Sequence, residues 1–178
     1  WGISAGAPYS YALAARDPER VAGVAITSGL GYLADQRVVE LYGEPSRKAF
    51  EYFRTAAPDD VRRYWVDALR RSLHEQPPDS DWIPALRDSL AHNGAGPGRE
   101  AVLQQRDWGF DLAEIACPVA LWHARDDAMV PFPTAAWTAR LISRATLHEL
   151  PGADHVPEGA SVRSALAFLS RVGPTRRT

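Results

Sequence analysis

The chain opens Trp1-Gly2-Ile3-Ser4-Ala5-Gly6-Ala7-Pro8, and Gly2, Ser4 and Gly6 spell G-x-S-x-G. That spacing fits a sharp strand-to-helix turn with a serine at its apex. Such a turn holds the serine in a strained backbone conformation. The residues two places to either side then approach other backbone closely, so small residues are expected at Gly2 and Gly6. The serine Oγ is left exposed at a helix N-terminus, where the Ala5 N–H can point at a developing negative charge. Alone the pattern is weak, because a glycine-rich turn with an incidental serine is spelled the same way.

The residues that follow build an α/β unit. Residues 5–16 are alanine-rich with Pro8 in the first turn, which predicts a helix, and Asp17-Pro18 ends it. Val21-Ala22-Gly23-Val24-Ala25-Ile26-Thr27 is a short apolar run of the kind that forms a parallel strand buried on both faces. Ser28-Gly29-Leu30-Gly31 closes it with turn residues.

From about residue 31 to 110 the pattern is helical, without a convincing strand. A helix is expected over 59–75, with Asp59 and Asp60 at its N-terminus and Val61, Tyr64, Trp65, Ala68, Leu69 and Leu73 on one face. Pro77-Pro78 stops it. A second helix should follow, capped by Asp79, Ser80 or Asp81, with Ile83, Leu86 and Leu90 inward. Gly94-Ala95-Gly96-Pro97-Gly98 lacks the Gly-Lys-Ser/Thr ending of a phosphate-binding loop and reads as a flexible connector before a short helix over 101–106. The aromatic residues concentrate in 31–110, most as helix-packing core and a few free to line a pocket.

The α/β rhythm then returns. A strand is expected over 119–123, a helix over 134–142, a strand over 146–150 and a last helix over 159–171. In that helix Val162, Ala165, Leu166, Leu169 and Val172 point inward. Gly173-Pro174 ends it, and 175–178 reads as a frayed tail. Residues 1–30 and 111–178 therefore share one α/β core, and 31–110 is a helical cap or lid inserted in it.

Composition bounds the function. The 178 residues suffice for one domain with a core and a lid. Apolar residues make up 46% and charged residues 24%, as in ordinary globular proteins. A net charge of −2 argues against nucleic acid or an anionic membrane as partner. No apolar run approaches the ~18 residues of a membrane span, and a cytoplasmic location is expected. The only cysteine, Cys117, excludes an intrachain disulfide and a cysteine metal cluster; before Pro118 it reads as a small buried hydrophobe. No cluster has metal-ligand spacing, and no cofactor is expected.

A serine at such a turn is inert without a base, and the base needs an orienting carboxylate. In an open parallel sheet these groups belong just beyond the carboxyl ends of strands. Two stretches qualify: Ala124-Arg125-Asp126-Asp127-Ala128-Met129-Val130-Pro131 and Pro151-Gly152-Ala153-Asp154-His155. Of five histidines, His155 alone lies just past a strand in a Pro-Gly turn. His74 and His92 fall on polar helix positions and should be exposed. His123 and His148 fall inside strands, and His123, near the site, reads as a residue supporting the catalytic ones or as structural, rather than as catalytic.

These segments carry a family resemblance. The sequence resembles the α/β-hydrolase superfamily, serine-nucleophile branch, from the nucleophile elbow to the C-terminus. Gly2-Ile3-Ser4-Ala5-Gly6 matches the elbow. Asp127-Ala128-Met129-Val130-Pro131 resembles D-x-x-V-P after strand seven, and Pro151-Gly152-Ala153-Asp154-His155 resembles P-G-x-x-H after strand eight. Trp108-Gly109-Phe110 with Asp111-Leu112 is similar to the return from the lid. Ala124 departs from the family, which has glycine there, and this loosens the register of that loop; the V-P spacing favours Asp127 over Asp126.

The resemblance implies an α/β fold and an acyl-enzyme mechanism. Ser4 would be the nucleophile, His155 the base, Asp127 its orienting carboxylate and the Ala5 N–H one oxyanion donor. The implied substrate is a small apolar ester or similar acyl compound. An acyltransferase or a cofactor-free haloperoxidase-like enzyme would use the same triad. A non-catalytic binder normally lacks a triad residue, and none is lost here. A serine nucleophile argues against the epoxide hydrolase and haloalkane dehalogenase branches. The family's elbow follows the fifth of about eight strands, so the resemblance implies four strands, most of a fifth and the second oxyanion donor upstream of Trp1. About three strands should remain, with one edge of 21–27 open, and residues 1–178 alone are expected to be a poor catalyst prone to aggregation.

Overall fold

Runs of small and β-branched residues make the sheet of the computed structural model, which describes residues 1–156 and 159–173. Its strands are β1 (Gly2–Ile3), β2 (Val24–Thr27), β3 (Val119–Ala124) and β4 (Ala145–Leu150). They lie in that order, and every neighbouring pair is parallel. Val24 stands opposite Val119, and Val119 opposite Ala145. The sheet has four strands, one more than expected, because Gly2 and Ile3 pair with Ile26 and Thr27. Two residues are too short for a period-2 pattern to show in the sequence. The edge of β2 expected to be open is thus covered at Ile26 and Thr27, and the Trp1 indole N–H also donates to Thr27 Oγ1 at 2.6 Å.

Alternation along the strands builds two layers of core. Val24, Ile26, Val119 and Leu121 pack with Ala7, Tyr11 and Ala14 of α1 (Ala7–Arg16), with Leu112 and Ile115, and with Ile142 just past α7 (Phe132–Leu141). Cys117 is buried in the same cluster. Ala25, Ala120 and Trp122, on alternate positions, pack with Ala165 of α8 (Gly159–Val172). Each fully buried Val, Leu or Ile contributes about 1.5–3 kcal/mol.

The chain divides into two compact units. The sheet and its helices belong to residues 1–43 and the described part of 107–178, together with the short α2 (Gln36–Val39). Residues 44–106 form the other unit, of four helices: α3 (Glu44–Thr55), α4 (Pro58–Glu75), α5 (Trp82–Ala91) and α6 (Ala95–Gln104). Phe53, Val61 and Ala101 are its buried centre, with Phe50, Trp65 and Val102 packed around them.

Three details of helix reading change. Residues 95–98, expected as a connector, are the first turn of α6. Gly94 precedes it at φ 66°, and Gly98 lies so close to α4 that a Cβ there would sit 2.7 Å from Arg62 Cα. On α4 Val66 is buried and Tyr64 is exposed, so the inward face is rotated from the expected one. On α8 Ser161 and Ala165 are buried and Leu166 is exposed. The expected tail at 175–178, and Pro174 before it, lie outside the described residues. Among the described residues no helix is long and apolar enough to cross a membrane.

Candidate active site

The loops at the carboxyl ends of β1, β3 and β4 meet. Ser4 follows β1 directly and opens a 3-10 turn, Ser4–Gly6, that runs into α1. Its φ is 50°, in the left-handed region that costs a non-glycine residue of order 1 kcal/mol or more. Close packing enforces the turn at Gly2, where a Cβ would lie 2.6 Å from Ser10 Oγ and 2.9 Å from Ala7 Cα. The same was expected of Gly6, but beyond its adjoining chain no described atom lies within 4 Å of its Cβ position. The Ser4 carbonyl accepts from the Ala7 and Leu30 N–H groups, the latter at 3.0 Å. Ala5, in the first turn, has an N–H without an intrahelical acceptor, as the first N–H groups of any helix do.

Leu30 reaches Ser4 through two residues whose importance the sequence pattern did not signal. Buried Ser28 has φ 48°, so the chain reverses sharply at the end of β2. Gly29 then passes where a Cβ would meet Ile26 Cγ2 at 2.3 Å. Both had read only as turn residues.

His155 joins the ends of the array. Ser4 Oγ–H lies 2.8 Å from His155 Nε2 and can donate to it, and His155 Nδ1–H donates to Asp127 Oδ2 at 2.8 Å. The Asp127 side chain is fully buried, and that of His155 is 13% exposed. Asp127 Oδ1 accepts the backbone N–H groups of Met129 at 2.9 Å and Val130 at 3.0 Å. The D-x-x-V-P stretch is therefore a turn closed on its own aspartate. Asp126 is exposed, and its backbone N–H donates to Gly152 O, tying the two loops together at 3.0 Å. Of the two competing aspartates, Asp127 is the one brought to His155.

The remaining histidines divide as the sequence implied in place, though not all in consequence. His74, His92 and His148 are exposed, and His148 stacks on Trp122 across β3 and β4 with ring centroids 4.9 Å apart. His123 is buried, with Nε2 2.6 Å from Val130 O and 3.4 Å from Asp127 Oδ2. Burial pushes its pKa below the ordinary imidazole value, against the opposing pull of the Val130 carbonyl and the Asp127 carboxylate.

Chemically, this array can move a proton from a hydroxyl to an imidazole while a carboxylate holds the ring's tautomer and stabilises the imidazolium. Comparison with known proteins gives the family. A family model described as "Alpha/beta hydrolase family" matches residues 1–164. Over 84 residues the chain is 32% identical to pimeloyl-[acyl-carrier protein] methyl ester esterase of Chromobacterium violaceum, covering 46% of this chain and 33% of that enzyme. Among solved structures, a thermophilic esterase from Thermogutta terrifontis is similar at TM-score 0.58 and 21% identity, over 97% of this chain and 64% of that one. An α/β-hydrolase fold protein from Nakamurella multipartita is similar at TM-score 0.50 and 20% identity, over 97% and 68%. The chain thus spans about a third of the curated relative it matches, and about two thirds of these solved chains.

Proposed function

The chain belongs to the α/β-hydrolase family, and from that premise we propose that it is the catalytic part of a serine hydrolase acting on a carboxylic ester. The observation that carries this reading is the continuous path Ser4 Oγ to His155 to Asp127, with both links at 2.8 Å. His155 Nε2 takes the Ser4 proton as Oγ attacks the acyl carbon. Asp127 holds the hydrogen on Nδ1, leaving Nε2 free to accept it, and then faces the imidazolium that forms. The Ala5 N–H donates to the oxyanion of the tetrahedral intermediate. His155 next protonates the departing alcohol, which leaves an acyl group on Ser4. Water, deprotonated by His155, attacks that acyl carbon and releases the acid and free Ser4.

The name of the curated relative favours an acyl chain esterified to a small alcohol such as methanol. We assign residues 44–106 to the role of such an enzyme's cap, and expect the enzyme to prefer apolar over charged acyl or alcohol groups. The test is a fluorophosphonate probe, which phosphonylates an activated serine. Labelling at Ser4, with hydrolysis of short neutral p-nitrophenyl esters lost in Ser4→Ala, is the expected result. A folded protein that neither reacts at Ser4 nor hydrolyses such esters would overturn the reading.

A further inference from the structure

One buried titratable group stands beside this path without taking part in it. His123 is 1% exposed near the end of β3. Its Nε2 lies 2.6 Å from Val130 O. A carbonyl only accepts, so the hydrogen is on Nε2. With the pKa pushed down by burial, the ring is neutral near pH 7.

Val130 links this ring to Asp127. Its N–H donates to Asp127 Oδ1, and its carbonyl accepts from His123. The same Nε2–H faces Asp127 Oδ2 at 3.4 Å, the oxygen that accepts from His155. Packing fixes the ring as well. Phe132 meets it edge-on at 6.1 Å, and the Arg125 guanidinium lies over Phe132 at 5.5 Å, itself paired with Glu149. The charged and titratable groups facing His123 are Asp127 and His155, with Arg125 beyond the Phe132 ring.

A ring needed only to fill space would not have to present an N–H at this point. Resting on the hydrolase reading above, we propose that His123 is a positioning residue. As a neutral Nε2–H donor it pins the Val130 carbonyl and so holds the Asp127 carboxylate in line with His155 Nδ1.

Two substitutions in the full-length protein separate a donor from a filler. Glutamine carries its amide nitrogen the same number of bonds from Cβ as histidine Nε2, whereas the asparagine amide ends one bond earlier. H123N should lower kcat on a neutral ester by up to about 10²-fold, the scale of a 1 Å misplacement, with KM within about twofold. H123Q should stay within a few-fold of the parent. Equal losses in both variants, or a loss confined to KM, would overturn the proposal. Ser4→Ala separates the two levels: if it is dead while H123N keeps the parent kcat, the His123 role fails and the hydrolase reading stands. If Ser4→Ala keeps the parent activity, both fail. Ring ¹⁵N shifts of the unmodified protein need no variant to fold: a neutral His123 with hydrogen on Nε2 at pH 7 is expected. The other tautomer or an imidazolium would overturn the proposal.

Discussion

Both oxygens of Asp127 are engaged, and each side of the carboxylate imposes a different demand. Oδ1 accepts from two backbone N–H groups, which an amide oxygen could do equally well. Oδ2 accepts from His155 Nδ1–H, which an amide NH₂ cannot do. In Asp127→Asn the oxygen should therefore take the Oδ1 position and the NH₂ should face His155. The imidazole must then carry its hydrogen on Nε2, the wrong tautomer to receive the Ser4 proton. The expected loss in kcat is about 10⁴-fold at nearly unchanged Tm; a variant within tenfold of the parent would mean that Asp127 does not set the tautomer. His123 makes a separate prediction about stability. Its folded pKa is depressed, so between that value and the ordinary histidine pKa of about 6.5 the unfolded chain binds a proton that the folded one does not. The stabilising effect is present above about pH 6.5 and is lost as pH falls through this window. It can contribute at most about 1.4 kcal/mol per pH unit. Denaturation midpoints measured from pH 7.5 downward should decline, and H123Q should flatten that decline. An unchanged slope in H123Q would place the titration elsewhere.

At the scale of elements, three of the four strands and the loops after β3 and β4 were readable, two-residue β1 was not, and the helical unit was readable only in outline. The runs at 21–27 and 119–123 carry the pattern of buried parallel strands, 146–150 forms β4 with no residue fully buried, and chemistry-bearing residues stand just past the second and third of these. Ser4, Asp127 and His155 were legible because a strand-end site must use fixed positions in short loops. His123 was legible as a supporting or structural residue near the site, but the atom it donates to depends on Val130 folding back seven residues later. Helix α6 was misread because three of its early residues are glycine or proline, the poorest helix formers. Tertiary packing decides against that propensity. Gly98 lets α6 approach α4, and Pro97 sits in the first turn, where no intrahelical N–H is required. If this is why the helix forms, Gly98→Ala should destabilise despite alanine's better propensity. The added Cβ would lie 2.7 Å from Arg62 Cα and force the helices apart, at a cost of about 1–3 kcal/mol. Chemical denaturation followed through amides of α4 and α6 reads this. A stabilised Gly98→Ala would show that propensity, not close approach, governs α6.

Over the whole molecule, the candidate site is drawn from distant parts of the chain. Ser4 and His155 are 151 positions apart, and Asp127 and His155 are 28 apart. Ser4 follows β1 and His155 follows β4, the two outer strands of the described sheet. With neighbouring strands about 4.8 Å apart, the ends of β1 and β4 are separated by roughly 14 Å. The five residues 151–155 can span roughly 16 Å when extended. The Ser4 and His155 side chains cover part of that distance, and the loop after β4 bends at Gly152, φ 87°, whose carbonyl accepts from the Asp126 N–H, so where β4 ends sets where His155 arrives. A one-residue slip of β4 would move its end by about 3.3 Å, more than a hydrogen bond tolerates. The site should therefore exist only while the β3–β4 register holds, and it should be lost with the sheet rather than before it. Fluorophosphonate labelling of Ser4 across a urea series should fall in the same transition as the hydrogen-exchange protection of the β3 amides. Labelling that disappears while β3 remains protected would show that the loops alone, and not the sheet beneath them, hold Ser4 against His155.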